Sequence, residues 1–263
     1  MDLNLRGKRA IVTGASRGLG YAVAATLAGE GVDIILNARN ESALTKAANT
    51  IQAQSNAAVI PVAGDITLPD TPAKLVKAAG ENFGGVDLLL TNAGGPPPGA
   101  FESFSDQDWE KAVDLTFLSH VRLIREALPS LRRSSSPSIL TVTSFSVKQP
   151  LQNLILSNSI RSATVGLTKS LAIELGPEGI RVNSILPAWT ETERVQELMQ
   201  ARAKLNKSSV DDEIAKLTRE CPLGRFGTPQ EFANAAVFLL SPAASYITGV
   251  MLSVDGGFYK GTL

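Results

Sequence analysis

The sequence has 263 residues, of which 44% are hydrophobic and 19% charged, and its 25 lysines and arginines balance 25 aspartates and glutamates. A chain of this size buries a hydrophobic core of its own, while the zero net charge excludes the strongly basic proteins that bind nucleic acid or anionic membranes. Cys221 is the only cysteine, His120 is the only histidine, and no apolar run is long enough to span a bilayer. We therefore expect a cytoplasmic protein without a disulfide, a His/Cys metal site, a membrane segment or a nucleic-acid partner.

Short apolar segments typical of buried strands alternate with helical segments along the whole chain. The predicted strands cover residues 9–13, 33–37, 58–62, 86–91, 138–143, 180–186 and 250–254. The predicted helices cover residues 21–28, 41–54, 71–82, 106–133, 158–175 and 228–240, and a polar helical segment covers 191–220. Strict alternation predicts parallel strands joined by right-handed crossovers. We therefore predict an α/β Rossmann fold, a single doubly wound parallel sheet of about seven strands with helices on both faces, in one domain over residues 1–263.

A glycine-rich turn lies between the first predicted strand and the first predicted helix. Residues 13–20 read TGASRGLG, with the glycines spaced as G-x-x-x-G-x-G. Glycine allows the backbone to turn tightly and to approach a pyrophosphate closely, and the N-terminus of the following helix stabilises that anion. The turn therefore predicts a dinucleotide site, with these candidate binding residues: Gly14, Ser16, Arg17, Gly18, Leu19 and Gly20.

Further motifs follow the later predicted strands, in this order: Asp65-Ile66, Asn92-Ala93-Gly94, Pro187-Ala188, Tyr246-Ile247-Thr248-Gly249 and Val254-Asp255-Gly256-Gly257. Together with the glycine-rich turn they resemble the motifs of the short-chain dehydrogenase/reductase family, and in particular its 3-oxoacyl-[acyl-carrier-protein] reductase-like members, over nearly the whole chain. The resemblance implies that one set of residues lies beside the dinucleotide: Asp65, Ile66, Asn92, Ala93 and Gly94. It implies that a second set lies near the nicotinamide: Pro187, Thr190 and Thr192.

The charge near the predicted ribose-binding position distinguishes between the two nicotinamide dinucleotides. Proteins that bind NAD tend to place an acidic residue at the end of the second strand, where it holds the ribose 2′-hydroxyl. Here that position is Ala38, followed by Arg39, and Arg17 lies in the glycine-rich turn. Because arginine binds a phosphate group with two parallel hydrogen bonds, this pair favours NADP(H) over NAD(H). The alternative is that one or both arginines are solvated surface residues.

The catalytic residues implied by the resemblance are only partly present. The family usually has a serine at the end of the fifth strand, a tyrosine and a lysine four residues apart on the next helix, and an asparagine on the preceding long helix. Ser144 matches the serine, but the other three positions hold Ser157, Arg161 and Asp114. Ser157 and Arg161 share one helix face because they are four residues apart, and Arg161 is also a candidate cofactor-binding residue because it can hold the ribose hydroxyls. Serine is far less acidic than a phenol and arginine does not release a proton near neutral pH, so the family's proton transfer has no direct counterpart here.

Three interpretations of this departure are open. In the first, the chain interconverts a carbonyl and an alcohol, and the proton comes from Lys148 or from water through Ser144 or Ser157. Lys148 is otherwise a solvated loop residue, and Asp114 is either a catalytic acid or a structural partner of Arg161. In the second interpretation, NADP(H) is bound without turnover, in a redox sensor or a scaffold. In the third, the chain reduces an activated C=C bond.

Two segments beside the predicted site bear on the substrate and the assembly. The resemblance implies a substrate lid over residues 189–226, and this stretch is mostly polar and charged, which does not favour a large apolar substrate. The loop over residues 94–99 contains three prolines, so it is stiff and is expected to form part of the pocket wall. We expect a small-molecule substrate, and the resemblance implies a homotetramer or a homodimer.

Overall fold

A computed structural model describes residues 1–262, and its centre is a sheet of seven parallel strands. The strands are β1 (Arg9–Val12), β2 (Asp33–Ala38), β3 (Val59–Ala63), β4 (Leu88–Thr91), β5 (Ser138–Val142), β6 (Arg181–Pro187) and β7 (Met251–Val254). They lie in the order β3-β2-β1-β4-β5-β6-β7, and each neighbouring pair is parallel. The predicted doubly wound α/β sheet is therefore confirmed.

Helices join the strands at the places that the sequence predicts. They are α1 (Gly18–Gly29), α2 (Glu41–Ala53), α3 (Asp70–Phe83), α4 (Asp106–Val113), α5 (Ser119–Leu131), α6 (Ile155–Leu175), α7 (Glu193–Asn206), α8 (Val210–Glu220) and α9 (Pro229–Leu240). The predicted long helix over residues 106–133 is interrupted by a π-helical turn, Asp114–Leu118, which separates α4 from α5. In residues 1–262, no helix combines the length and the apolar character that crossing a membrane requires.

Two hydrophobic clusters cover opposite faces of the sheet. Successive strand residues point to opposite faces, so Val12 belongs to the cluster under α1, α2 and α9, whereas Ile11 belongs to the cluster under α3, α5 and α6. All residues of β4 and β5 are buried, as expected for central strands covered on both faces. This three-layer packing holds the carboxyl ends of the strands at one edge.

Helices α7 and α8 leave the sheet between β6 and β7, where the sequence predicts a polar helical segment. Although the sequence is polar, one face packs on a third hydrophobic cluster, whose buried members are Phe145, Trp189, Met199, Leu217, Cys221, Phe226 and Phe258. The wholly buried Glu213 of α8 accepts hydrogen bonds from Arg202, Ser208 and Lys216. The two helices are therefore attached to the carboxyl edge of the sheet and to each other by both apolar and charged contacts.

The strand order reverses between β1 and β4. The chain first proceeds from β1 outward to β3, and then returns to build β4 to β7 on the other side of β1. At such a reversal the loops that follow the two strands diverge, which leaves a crevice at the carboxyl ends of the strands. The glycine-rich turn follows β1, so it lies at this crevice.

Candidate functional site

A cavity of about 390 Å³ lies at the carboxyl ends of β1, β4, β5 and β6. Its lining includes most of the residues that the sequence predicts for the site: Gly14, Arg17, Gly18, Leu19, Arg39, Asn92, Ala93, Gly94, Ser144, Ser157, Arg161, Pro187, Thr190 and Thr192. The fold therefore brings together segments that are far apart in the sequence.

The glycines of the first turn allow close approach of the backbone. Gly14 and Gly18 both have a φ of +61°, in the left-handed region that disfavours side chains. A Cβ atom on Gly14 would lie 2.9 Å from both the side-chain nitrogen and the backbone oxygen of Asn92, and a Cβ atom on Gly20 would overlap the carbonyl oxygen of Gly14. The geometry of the turn thus requires glycine at these positions.

Asn92 joins the loop after β4 to the glycine-rich turn. Its side-chain amide donates a hydrogen bond to the carbonyl oxygen of Gly14 at 3.3 Å, and its backbone N–H donates to Oγ1 of Thr13 at 2.9 Å. The Thr13 hydroxyl in turn donates to the carbonyl oxygen of Asn92 at 2.8 Å. These bonds fix the two loops that form the floor of the cavity at the strand-order reversal.

The first wall of the cavity, formed by residues 14–20 and Arg39, fits a dinucleotide. The residue preceding α1, Arg17, makes no side-chain bond to the first helical turn, so the backbone N–H groups of that turn are available to an anion. Arg17 and Arg39 are both exposed and line the cavity. Arg17 lies 3.8 Å from the carboxylate of Glu197, a weak ion pair that a phosphate can replace. The glycine-rich turn, the N-terminus of α1 and the two arginines together form a site that suits a phosphorylated ligand.

Apart from Gly20 of the glycine-rich turn, three residues predicted to bind the dinucleotide lie outside the cavity lining: Ser16, Asp65 and Ile66. The carboxylate of Asp65 accepts hydrogen bonds from the backbone N–H and the hydroxyl of Thr67, at 2.9 and 2.8 Å. Ile66 is buried in the hydrophobic cluster under α3 and α5. Asp65 thus stabilises the turn of its own loop, and contact between these three residues and a dinucleotide stays a prediction.

The second wall of the cavity, formed by β5 and α6, brings together three of the five predicted catalytic residues. Ser144 follows β5, Ser157 lies in the first turn of α6, and Arg161 lies one turn later on the same face. The hydroxyl oxygen of Ser144 accepts a hydrogen bond from the backbone N–H of Ser146 at 3.1 Å. The Ser144 oxygen is the acceptor in this bond, so the bond does not use the hydroxyl proton. That proton is available to a ligand.

The guanidinium of Arg161 is buried and has no acidic partner among residues 1–262. The residue is only 7% exposed. Its Nη1 donates to the carbonyl oxygens of Val142 and Thr143, both at 3.1 Å, and its Nη2 donates weakly to that of Gly94 at 3.5 Å. Burial and, second, the charge of Arg194 lower the pKa of Arg161 to about 10. Arg161 is therefore still positively charged at neutral pH.

The structure places the other two predicted catalytic residues elsewhere, since neither lines the cavity. The carboxylate of Asp114 accepts a hydrogen bond from Nη2 of Arg122 at 2.9 Å, so its ion-pair partner is Arg122 and not Arg161. The Nζ of Lys148 lies 5.3 Å from the centre of the Tyr259 ring, in a cation–π contact. The prediction that Asp114 is the partner of Arg161 is therefore wrong. The catalytic roles predicted for Lys148 and Asp114 stay predictions, and the place of both residues outside the cavity lining does not favour them.

His120 is also unsuited to donate a proton. It is buried, and its Nδ1 lies 2.6 Å from Oγ1 of Thr91. Burial, followed by the charge of Arg161, lowers the pKa of His120 to about 3, which keeps the imidazole neutral. Its Nε2 has no hydrogen-bond partner among the described residues, and the side chain does not line the cavity.

The structure adds three charged residues of α7 to the predicted site, namely Glu193, Arg194 and Glu197. Arg194, in the first turn of α7, lines the cavity. Its Nη2 donates to the carbonyl oxygen of Pro96 at 2.9 Å, and its Nη1 lies 3.5 Å from the Glu197 carboxylate. In the sequence, the only indication of this role is that Arg194 follows the predicted site residue Thr192 by two positions. The packing of α7 is what directs the Arg194 side chain back to the loop over residues 94–99, which forms part of the cavity wall as predicted.

Comparison with families of known proteins finds a match over most of the chain. A family model described as enoyl-(acyl carrier protein) reductase matches residues 14–259. The 3-oxoacyl-[acyl-carrier-protein] reductase of Vibrio cholerae is 32% identical over 259 residues, which is 98% of this chain and 99% of that protein. The similarity therefore extends through both walls of the cavity.

Solved structures show the same fold from end to end. The L-sorbose reductase of Gluconobacter frateurii, in complex with NADPH and L-sorbose, is 32% identical and superposes with a TM-score of 0.94 over 99% of this chain and 100% of that one. A 7α-hydroxysteroid dehydrogenase in complex with NADH and 7-oxo glycochenodeoxycholic acid is 31% identical, with a TM-score of 0.89 over 100% of this chain and 98% of that one.

Proposed function

The chain belongs to the short-chain dehydrogenase/reductase family of oxidoreductases, and from this premise we propose that it interconverts a carbonyl and an alcohol on a small molecule with NADP(H) as the redox partner. One observation carries the proposal. Ser144, Ser157 and Arg161 line the same cavity as the glycine-rich turn, so a substrate oxygen held by these side chains lies beside a dinucleotide bound on the first wall.

The chemistry divides between the cofactor and the second wall. Hydride transfer to the carbonyl carbon is what a bound nicotinamide supplies. The hydroxyls of Ser144 and Ser157 donate hydrogen bonds to the carbonyl oxygen, and the guanidinium of Arg161 stabilises the negative charge that develops on that oxygen. Because the guanidinium is buried, its field is screened less than that of a surface arginine.

Reduction also adds one proton to the oxygen. The cavity-lining residues within 1–262 include no tyrosine, lysine, histidine or cysteine, and their two carboxyl groups, those of Glu193 and Glu197, are exposed on α7. We therefore assign the proton to water, which delivers it through the hydroxyl of Ser144 or Ser157. In the oxidation direction the same proton returns to water. The proton donor thus differs from the tyrosine that the family resemblance implies.

The preference for NADP(H) is supported by Arg17 and Arg39, whose charges suit a 2′-phosphate. The solved relatives do not share one cofactor, because the L-sorbose reductase complex contains NADPH and the 7α-hydroxysteroid dehydrogenase complex contains NADH. The charge of this chain's own residues is therefore the basis of the assignment.

The test measures NADPH consumption by the purified protein against a panel of ketones and 3-oxoacyl thioesters. We expect turnover of at least one ketone or oxo compound, and we expect Arg39→Ala to weaken NADPH binding by about ten-fold while NADH binding changes little. Tight NADPH binding without consumption on any of them would contradict the proposed activity. Equal losses of affinity for NADPH and NADH in Arg39→Ala would contradict the proposed cofactor preference.

Two other functions have observations in their favour. The lack of a tyrosine, lysine, histidine or cysteine among the described lining residues is also what a protein that binds NADP(H) without turnover would show. The description of the matching family model, enoyl-(acyl carrier protein) reductase, favours reduction of an activated C=C bond. Adding enones to the same substrate panel distinguishes reduction of a C=C bond from reduction of a carbonyl.

A further inference from the structure

Two arginines, Arg161 and Arg194, converge on one side of the cavity. A Cβ atom built on Gly95 would lie 3.3 Å from a guanidinium nitrogen of Arg194 and 3.8 Å from one of Arg161. Both side chains therefore approach the same face of the loop after β4. The charge of Arg194 is also one cause of the lowered pKa of Arg161, as expected for neighbouring positive charges.

The hydrogen bonds of Arg161 do not neutralise its charge. Arg161 contacts carbonyl oxygens, and within residues 1–262 it has no carboxylate at ion-pair distance. Arg194 has one acidic neighbour, Glu197, at 3.5 Å, and that carboxylate is half-exposed and also faces Arg17. A buried cation without a counter-ion is unfavourable unless a ligand supplies the negative charge.

We infer that the pair formed by Arg161 and Arg194 binds a carboxylate of the substrate, so that the preferred substrates are small oxo acids. This inference rests on the proposed function and narrows its substrate class. Arginine suits a carboxylate because its planar donors match both oxygens. A carboxylate gripped by both guanidinium groups also relieves the repulsion between them.

The position of the pair limits the distance between the carboxylate and the reacting carbonyl. Arg161 donates to the carbonyl oxygen of Thr143, the residue directly before Ser144, and it lies one helical turn from Ser157. The anion site is therefore next to the two hydroxyls that hold the carbonyl oxygen. This proximity favours 2-oxo or 3-oxo acids over compounds in which the two groups are far apart.

The other source of negative charge at this place is the dinucleotide itself. Its pyrophosphate is expected at the N-terminus of α1, on the wall that carries Arg17 and Arg39, whereas Arg161 projects from α6 against β5. Arg194 reaches from α7 to the carbonyl oxygen of Pro96 in the loop after β4, and Glu197 lies between it and Arg17. The buried Arg161 is therefore the member of the pair that lies away from the first wall. We therefore assign the anion to the substrate.

The experiment compares oxo acids with the primary amides of the same carbon skeleton, using the full chain with NADPH. We expect kcat/KM for the acid to exceed that for the amide by about ten-fold or more. Arg194→Leu should reduce this ratio to nearly one while NADPH affinity stays about the same. Arg219→Leu, an exposed arginine of α8 outside the cavity lining, is the matched control and should keep the full ratio.

Three results would overturn the inference. The first is equal turnover of acids and amides by the unaltered protein. The second is an acid-to-amide ratio of kcat/KM that Arg194→Leu leaves unchanged. The third is a loss of NADPH affinity in Arg194→Leu with that ratio retained, which assigns the anion to the dinucleotide. Turnover of neutral ketones in any of these cases leaves the proposed function standing.

If no compound is reduced, calorimetric binding of the same oxo acids to the NADPH complex decides. Binding of the acid but not the amide, abolished by Arg194→Leu, supports the anion site although the proposed activity has failed. No binding of the acid rejects the site.

Discussion

The two walls of the cavity differ in what they are made of. The first wall, residues 14–20 with Arg39, acts largely through backbone atoms: left-handed glycines, close approach to Asn92 and the N-terminus of α1. The second wall acts through side chains, chiefly Ser144, Ser157 and Arg161. Relative to the family resemblance, the first wall keeps its motif while the second has changed.

This difference shows which part of the site the fold constrains. A backbone cradle depends on the packing of β1, α1 and β4, so a change there disturbs many contacts at once. Side chains that line a cavity can be exchanged while the backbone of the helix that carries them stays intact. We therefore expect the backbone of this chain to tolerate substitutions in the second wall more readily than in the first.

The largest expected effect tests the second wall. Arg161→Met removes the buried positive charge next to the substrate oxygen while roughly keeping the side-chain volume, so we expect kcat to fall by about 100- to 1000-fold. Arg161→Lys restores the charge without the pair of hydrogen bonds that Nη1 donates to Val142 and Thr143, and should recover part of the activity. Steady-state kinetics with NADPH measures both, and circular dichroism checks the fold. An Arg161→Met variant with unaltered kcat would remove Arg161 from the reaction.

A smaller effect tests the first wall. In Gly20→Val the new side chain overlaps the carbonyl oxygen of Gly14, so the turn must shift and NADPH affinity should fall by about 10- to 100-fold. Fluorescence titration with NADPH gives the affinity. The control is Gly166→Ala on α6, where no atom lies within 4 Å of the added methyl group. Alanine is favoured over glycine inside a helix, so this control should keep its affinity and be slightly more stable. Equal NADPH affinities in the two variants would contradict the conclusion that the first wall binds the dinucleotide through its backbone geometry.

A third prediction concerns the pH dependence of the segment that borders both walls. Hydrogen bonds from Lys216 first, and then from Ser208, lower the pKa of Glu213 from 4.5 to about 2. Because the folded-state pKa is the lower one, the stabilisation is fully present above about pH 4.5 and is lost as the pH falls toward 2. Glu213→Gln should therefore lower Tm at neutral pH by a few degrees, and the difference should shrink in acid. Asp211→Asn, an exposed neighbour on α8, is the control; a difference that is independent of pH would argue against the ionised Glu213.

The smallest expected effect concerns Lys148. Its ammonium group contacts the ring of Tyr259 and does not line the cavity. We therefore expect Lys148→Ala to change kcat/KM by less than about two-fold, which is within the range of losing one surface contact. A loss of activity in this variant, together with a changed pH profile, would return Lys148 to the role of proton donor.

Much of the fold was predictable because its signals are local. Strand and helix positions follow from hydrophobic periodicity and cap residues, such as the capping box that begins α4 at Ser105. The glycine-rich turn is also local, since its spacing and its place between a strand and a helix are sufficient. The common face of Ser157 and Arg161 follows from their spacing alone.

The sequence by itself thus determined the doubly wound sheet, the glycine cradle at the end of β1, and the replacement of the expected tyrosine and lysine by Ser157 and Arg161. The tertiary structure decided which charged side chains reach the cavity. A π-helical turn alters the rotation of the helix at Asp114, which pairs with Arg122. Arg194 enters the site only because α7 folds back over the loop at Pro96. Such contacts depend on the orientation of elements distant in sequence, and no local pattern records that orientation.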